Sequence, residues 1–246
     1  MKADPTVQLR LLDLQAADTE LVQLAHRREH LPELAALTES DQQAEQLGGE
    51  TLDLQAQLDD IADDQRRLEN EVETVQTRTK RDNERLTSGG LAAKDLEGLQ
   101  HEITTLARRQ SALEDDLLEV MERRENIDSE LAALTQRQQV LATERADLEA
   151  RRDAAFAEID AGTTRRGAER SQIAGDLPAD LLTLYDKIRA NSGGVGAAML
   201  RLRRCEGCHL ELAGSELNAV RAAAPDDVVR CDNCRRIFVR TGESGL

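Results

Sequence analysis

The sequence predicts a mainly α fold, a long antiparallel coiled-coil hairpin followed by a small C-terminal β ribbon, and three observations lead there. The 246 residues include only two Phe, one Tyr and no Trp, so the bulky side chains that fill a large globular core are missing. A third of the residues are charged (33%), which suits solvent-washed helices better than sheets. All four cysteines stand near the C-terminus as two CxxC pairs, Cys205 with Cys208 and Cys231 with Cys234.

At the N-terminus, Asp4 and Pro5 supply a helix cap and a first-turn proline for a loose apolar stripe of Val7, Leu11, Leu14, Leu21 and Leu24. Pro32 should break that helix. Gly48 and Gly49 form a second weak point, costing about 2 kcal/mol of helix propensity relative to alanine, so the arm is expected to be segmented. Leu54, Leu58, Ile61, Gln65, Leu68, Val72, Val75, Thr79, Asp82 and Leu86 then alternate in steps of three and four, with seven of ten positions apolar. The same alternation resumes at Leu96 and runs through Leu113, Val120, Leu134 and Leu148 to Ile159, with 14 of 19 positions apolar. A strict seven-residue repeat keeps its seam facing a partner only by supercoiling around it, and each stretch supplies the other's partner. Between them, Gly89 and Gly90 give the backbone freedom for a tight helix-to-helix turn near 87–92. Arg124, Arg145 and Arg152 occupy seam positions from which long side chains can reach solvent.

The expected organisation is a segmented hairpin over 1–175, a short helix (177–189) with a Gly-rich turn over 176–196, and a ribbon over 197–246. Within the ribbon we expect a strand at 197–202, a helix after Ser215, a short strand at 228–230 and a last strand at 236–240. Each CxxC sets two thiolates on a tight turn, and two such knuckles separated by 22 residues converge on one tetrahedral ion. Soft thiolates favour zinc, although iron can enter the same cage. A redox dithiol would open a helix in a thioredoxin-like pattern, which is not seen here. With four sulfur ligands the single Zn2+ is structural, and His209, next to Cys208, is not needed as a ligand.

Net charge of −16 repels phosphates and anionic membranes, so nucleic-acid binding would have to be local. Two local reversals offer it. The ribbon carries Arg203, Arg204, Arg235 and Arg236 among its eight arginines, and the hairpin tip carries Arg81, Arg85 and Lys94. No phosphate loop, nucleophile elbow or isolated carboxylate pair marks an enzyme. No secretory or membrane segment is visible, so the expected location is cytoplasmic, without membrane contact, as a monomer or weak dimer.

The combination KDLEGLQHEI at 94–103, LPADLLTLYDKIR at 177–189, CEGC at 205–208 and CDNCRRIFV at 231–239 resembles the bacterial coiled-coil proteins with a C-terminal C4-type zinc ribbon. That resemblance implies zinc ligation by Cys205, Cys208, Cys231 and Cys234. It also implies an adaptor role, since the better-studied members look like adaptors that bind flagellar or secretion components, an alternative sigma factor, or RNA. One departure is Arg235, where the family places glycine after the last cysteine. The expected function is a non-enzymatic adaptor for protein partners; the alternative is a nucleic-acid-binding or transcription-associated regulator using the ribbon and tip arginines.

Overall fold

The computed structural model describes residues 1–90 and 92–246; position 91, inside the turn expected at 87–92, lies outside them. Its elements are α1 (Pro5–Glu29), α2 (Pro32–Thr87), α3 (Ala93–Gly175), α4 (Ala179–Asn191), β1 (Ala197–Arg201), β2 (Arg204–Cys205), α5 (Gly214–Ala222) and β3 (Ile237–Val239). They form two compact units, Ala35–Leu148 and Met1–Leu34 with Glu149–Leu246.

The first unit is the antiparallel hairpin. All ten seam positions of α2 are buried or half-buried, and on α3 only Arg124 and Arg145 of the 19 are exposed. Ile61, Leu68, Leu113 and Val120 form its buried centre, flanked by Val72, Val75, Leu117 and Ile127. Polar links between the helices report the register, with numbers falling on one helix as they rise on the other. Arg78 pairs with Glu102 and Arg109 with Glu71 (2.8 Å), Arg124 donates to Gln65 (3.1 Å), Gln138 to Thr51 (3.1 Å), and Arg145 pairs with Asp41 (3.0 Å). Exposed pairs of this kind contribute less than about 1 kcal/mol each, so they align the helices while the apolar seam holds them. Arg124 thus reaches the polar seam residue Gln65, Arg145 reaches Asp41 on α2, and Arg152 pairs with Asp153 (2.7 Å).

The chain breaks at Pro32 as expected, with His30 capping α1. The expected weakness at Gly48 and Gly49 is corrected: α2 runs unbroken through both. Seam packing on either side holds the helix, overriding local propensity. A Cβ at either glycine would meet nothing within 4 Å. The double replacement Gly48→Ala/Gly49→Ala is therefore expected to stabilise the hairpin by about 2 kcal/mol, read as a higher midpoint in thermal circular dichroism.

The second unit changes α3's partner. Past Ile159, where the seven-residue pattern fades, the helix continues to Gly175 against α1. Arg28 pairs with Asp160, Arg166 with Glu20, Arg170 with Asp18 (2.7 Å) and Arg10 with Asp176 (3.3 Å). The leucine stripe of α1 is covered by the chain itself. Leu11 and Leu14 share one core with Ile173, Leu181, Tyr185, Ile188, Ala197, Ile237 and Val239.

The sheet order is β2-β1-β3, with β1 antiparallel to β2 and parallel to β3. The strand expected at 228–230 is reduced to a single bridge, Arg230 with Ile237. Its first residue and the segment before it pair instead with the N-terminus: Val228 N–H donates to the Met1 carbonyl (3.1 Å) and Ala3 N–H to that of Asp226 (2.8 Å). Alternate residues of the sheet enter two cores. Ala197, Ile237 and Val239 face the helices, while Ala198, Leu200 and Phe238 pack around Cys205 and Cys231. Among the described residues, no helix is long and apolar enough to cross a membrane.

Candidate metal centre

The two knuckles share one construction. In each, the N–H of the residue after the second cysteine donates to the carbonyl of the first: His209 to Cys205 (2.7 Å) and Arg235 to Cys231 (2.9 Å). Both donors are left-handed, at φ 60° and 63°. This is the conformation for which glycine is the favoured residue. Arg235→Gly is therefore expected to stabilise the metal-loaded ribbon by about 1 kcal/mol, measured as slower metal loss to a chelator.

The knuckles bring all four sulfurs within 4.8 Å of one another, with Cys205 Sγ to Cys234 Sγ at 3.8 Å and Cys208 Sγ to Cys231 Sγ at 3.9 Å. A tetrahedral zinc with ligands at about 2.3 Å requires sulfur separations of about 3.8 Å, so this donor set fits the ion. No other group of three or more ligating side chains occurs among the described residues. The cage takes one Zn2+ and has no place for water or substrate, so the ion braces the fold. Backbone N–H groups of Gly207 and Cys208 point at the Cys205 sulfur, and those of Asn233 and Cys234 at the Cys231 sulfur. Burial nevertheless pushes the Cys205 thiol well above its usual range and Cys231 up to about 11. A divalent cation reverses that balance by binding the thiolates directly.

Each knuckle has its own brace. Arg236 donates to the carbonyls of Gly207 (2.7 Å), Ser192 (2.7 Å) and Val195 (3.2 Å). A Cβ at Gly207 would lie 2.7 Å from Arg236 Cδ and 2.9 Å from Ala198 Cβ, so only glycine fits beneath that guanidinium. Glu216, buried on α5, accepts the Asp232 N–H (2.9 Å). Arg236 was read from sequence as a phosphate or partner contact; its donors are occupied by backbone instead. Arg240 likewise donates to the carbonyls of Ala223, Ala224, Pro225 and Asp227. Arg204 and Arg235 stay exposed, and Arg203 is exposed while donating to the Gly245 carbonyl (3.1 Å). Arg81 and Arg85 lie 3.6 and 4.0 Å from buried Asp82, and Lys94 is exposed at the start of α3. The expected contact residues therefore belong to both compact units.

Sequence reasoning missed a second constellation. Asp18, fully buried, accepts from Arg170 (2.7 Å), pairs with Arg189 (3.2 Å) and accepts the Tyr185 hydroxyl (2.7 Å). Gln15 accepts the Gly196 N–H (2.7 Å) and donates to the Gly194 carbonyl (3.0 Å). One signal was available: Asp18 stands at seam spacing between Leu14 and Leu21, where an unpaired carboxylate would be costly.

Residues 14–193 match the CT398-like coiled coil hairpin domain, and residues 204–237 match the C4-type zinc ribbon domain. The uncharacterized protein Rv2229c of Mycobacterium tuberculosis is 38% identical over 240 residues, covering 98% of both chains. The uncharacterized protein ML1638 of Mycobacterium leprae is 31% identical over 213 residues, covering 87% of this chain and 91% of that one. A solved structure from Mycobacterium smegmatis superposes with a TM-score of 0.86 at 37% identity, covering 98% of this chain and 100% of that one. CT398 from Chlamydia trachomatis superposes at 0.70 with 16% identity, covering 96% of this chain and 98% of that one, a likeness of fold.

Proposed function

Because the chain belongs to the CT398-like family of coiled-coil hairpin proteins with a C4-type zinc ribbon, we propose that it acts as a non-enzymatic adaptor, holding protein partners on its hairpin and ribbon surfaces. The observation that carries this reading is the turn between β1 and β2. Leu202 and Arg203 both have positive φ (46° and 65°), in a two-residue hairpin turn of the kind that favours Asn-Gly. Leu202 is also 74% exposed. Its backbone is fixed by the tail, with Leu202 N–H on the Glu243 carbonyl (2.8 Å) and Arg203 N–H on that of Ser244 (2.9 Å). A leucine held out in a strained turn lowers stability and packs little of its own surface, which supports reading it as a contact residue.

The ribbon cannot be deleted cleanly, because β1 and β3 complete the core that buries α1 and α4. The test therefore uses surface variants of the whole protein. Leu202→Asn/Arg203→Gly should keep or raise thermal stability while removing a subset of partners from a crosslinked pull-down, and Arg81→Gln/Arg85→Gln/Lys94→Gln should remove a different subset. An unchanged partner set with both variants refutes the adaptor. Nucleic-acid binding is the competing outcome. A mobility shift that weakens steeply with salt and disappears in Arg203→Gln/Arg204→Gln/Arg235→Gln would replace the adaptor with that reading.

A further inference from the structure

One side of the hairpin differs from the rest of its surface. A groove of about 570 Å³ lies between α2 and α3, with Leu47, Val140 and Leu141 in its wall. It continues into a second stretch of about 420 Å³ lined by Leu54 and Leu134, the two sharing Glu50, Ala133 and Arg137. From Gln43 to Leu54 on one helix, and from Glu130 to Glu144 on the other, the wall is on the order of 20 Å long at ~1.5 Å per residue. That is the length of an α-helix of about 14 residues. Val140 is 52% exposed at the wall, and Ala133 leaves room for close approach. The distal groove of the same hairpin has Val75 as its one apolar side chain, and its Asp63, Arg66, Arg67 and Glu71 pair with one another or with Asp64.

The charge around the apolar groove is one-sided. Residues 39–64 of α2 carry nine Asp or Glu and no Lys or Arg, and residues 125–147 of α3 carry five acids against Arg137 and Arg145. Residues 66–124, by contrast, nearly balance, with thirteen acids and eleven Lys or Arg. Most of the chain's net charge of −16 thus falls in the two segments that contain the groove. Two packed helices leave such a channel as the natural seat of a third, and the chemistry of the rim decides which third helix fits.

We propose that this groove is the docking site for a basic amphipathic helix of a partner protein, its apolar face laid on Leu47, Leu54, Ala133, Val140 and Leu141. Its Lys or Arg side chains would reach Glu50, Glu130 and Glu144. Apolar contact gives the helix its seat and the acidic field selects its charge, a selection that weakens as salt screens beyond about 8–10 Å. The assignment deepens the adaptor reading and rests on it. It fails separately, because the ribbon and tip variants above leave the groove intact.

The probe is a fluorescein-labelled 18-residue Leu/Lys/Ala peptide with its leucines on one helical face, compared with a scrambled peptide of identical composition, by fluorescence anisotropy on the full zinc-loaded chain. The facially ordered peptide should bind at least about tenfold tighter than the scrambled one. Ala133→Gln, which places an uncharged good helix former in the exposed groove, should weaken it about tenfold at unchanged thermal stability. Glu50→Gln/Glu144→Gln should weaken it at low salt and much less at high salt. Equal binding of the two peptides, indifference to Ala133→Gln, or a self-association by sedimentation that Ala133→Gln abolishes would each overturn the proposal.

Discussion

Removing the metal, by chelation or by Cys231→Ser, is expected to unfold the ribbon and release α1 and α4 from it, leaving the hairpin of residues 35–148 helical. The three strands have five, two and three residues. A sheet that small is not stable by itself. Its metal-side core has Cys205 and Cys231 as fully buried members beside Leu200, Val220 and Phe238. A structural zinc contributes about 10–16 kcal/mol of apparent binding energy. A whole domain holds only about 5–15 kcal/mol of net stability, so this unit cannot keep its fold without the ion. The damage spreads because β3 serves both cores, Phe238 toward the metal and Ile237 with Val239 toward Leu11, Leu14 and Tyr185. Hydrogen exchange should show protection lost in residues 1–29 and 179–246 and kept in 35–148, with one zinc released per chain. Acid should act in the same direction. Burial keeps the unliganded Cys205 and Cys231 thiols protonated at neutral pH. Zinc binding therefore releases protons, and retention falls as pH falls. Full metal loss with α1 still protected would refute this coupling.

What could be read from the sequence follows from the range of each interaction. The hairpin seams were legible because a heptad is local: Leu99, Leu113, Val120 and Leu134 announce their shared face whatever they meet. The knuckles were legible because ligand spacing within each CxxC is also local. The partner of α3 beyond Ile159 was not, because arginines take over where an apolar seam would continue. Arg166 and Arg170 find Glu20 and Asp18 some 150 positions away, and no periodicity marks such a pair. The same holds for Lys2 on Asp226 (2.9 Å), which ties the N-terminus to the ribbon. Arg236 shows the limit most directly. Composition placed it in a basic patch, whereas the fold turns its guanidinium inward onto three carbonyls. Gly48 and Gly49 erred the other way, since a local penalty of about 2 kcal/mol is small against a seam many residues long.

The second large effect is expected at Asp18. Asp18→Ala would leave Arg170 and Arg189, with side chains 24% and 30% exposed, without the carboxylate they share. It would also deprive the Tyr185 hydroxyl, in a fully buried ring, of its shorter hydrogen bond. Breaking a buried pair from one side typically costs about 3–5 kcal/mol. Partial exposure of both arginines lets water recover some of it, so a loss of about 3 kcal/mol is expected. Tyr185→Phe keeps the ring and removes only the hydroxyl, for a loss of about 1–2 kcal/mol. Because the two groups touch, the double variant should lose less than the sum of the single ones. Gly196→Ala attacks the same cluster sterically, since its Cβ would lie 2.7 Å from the Tyr185 ring and 2.8 Å from the Tyr185 carbonyl oxygen. The ring would have to move off Asp18. Burial first, and Asp18 second, raise the Tyr185 phenol far above its ordinary value. Its contribution to stability is therefore complete below about pH 10 and lost as pH rises further. Denaturant unfolding followed through Tyr185, the only tyrosine, isolates this unit from the hairpin. A strictly additive double variant would show that Asp18 and the phenol act independently, and that Asp18 is held by its arginines alone.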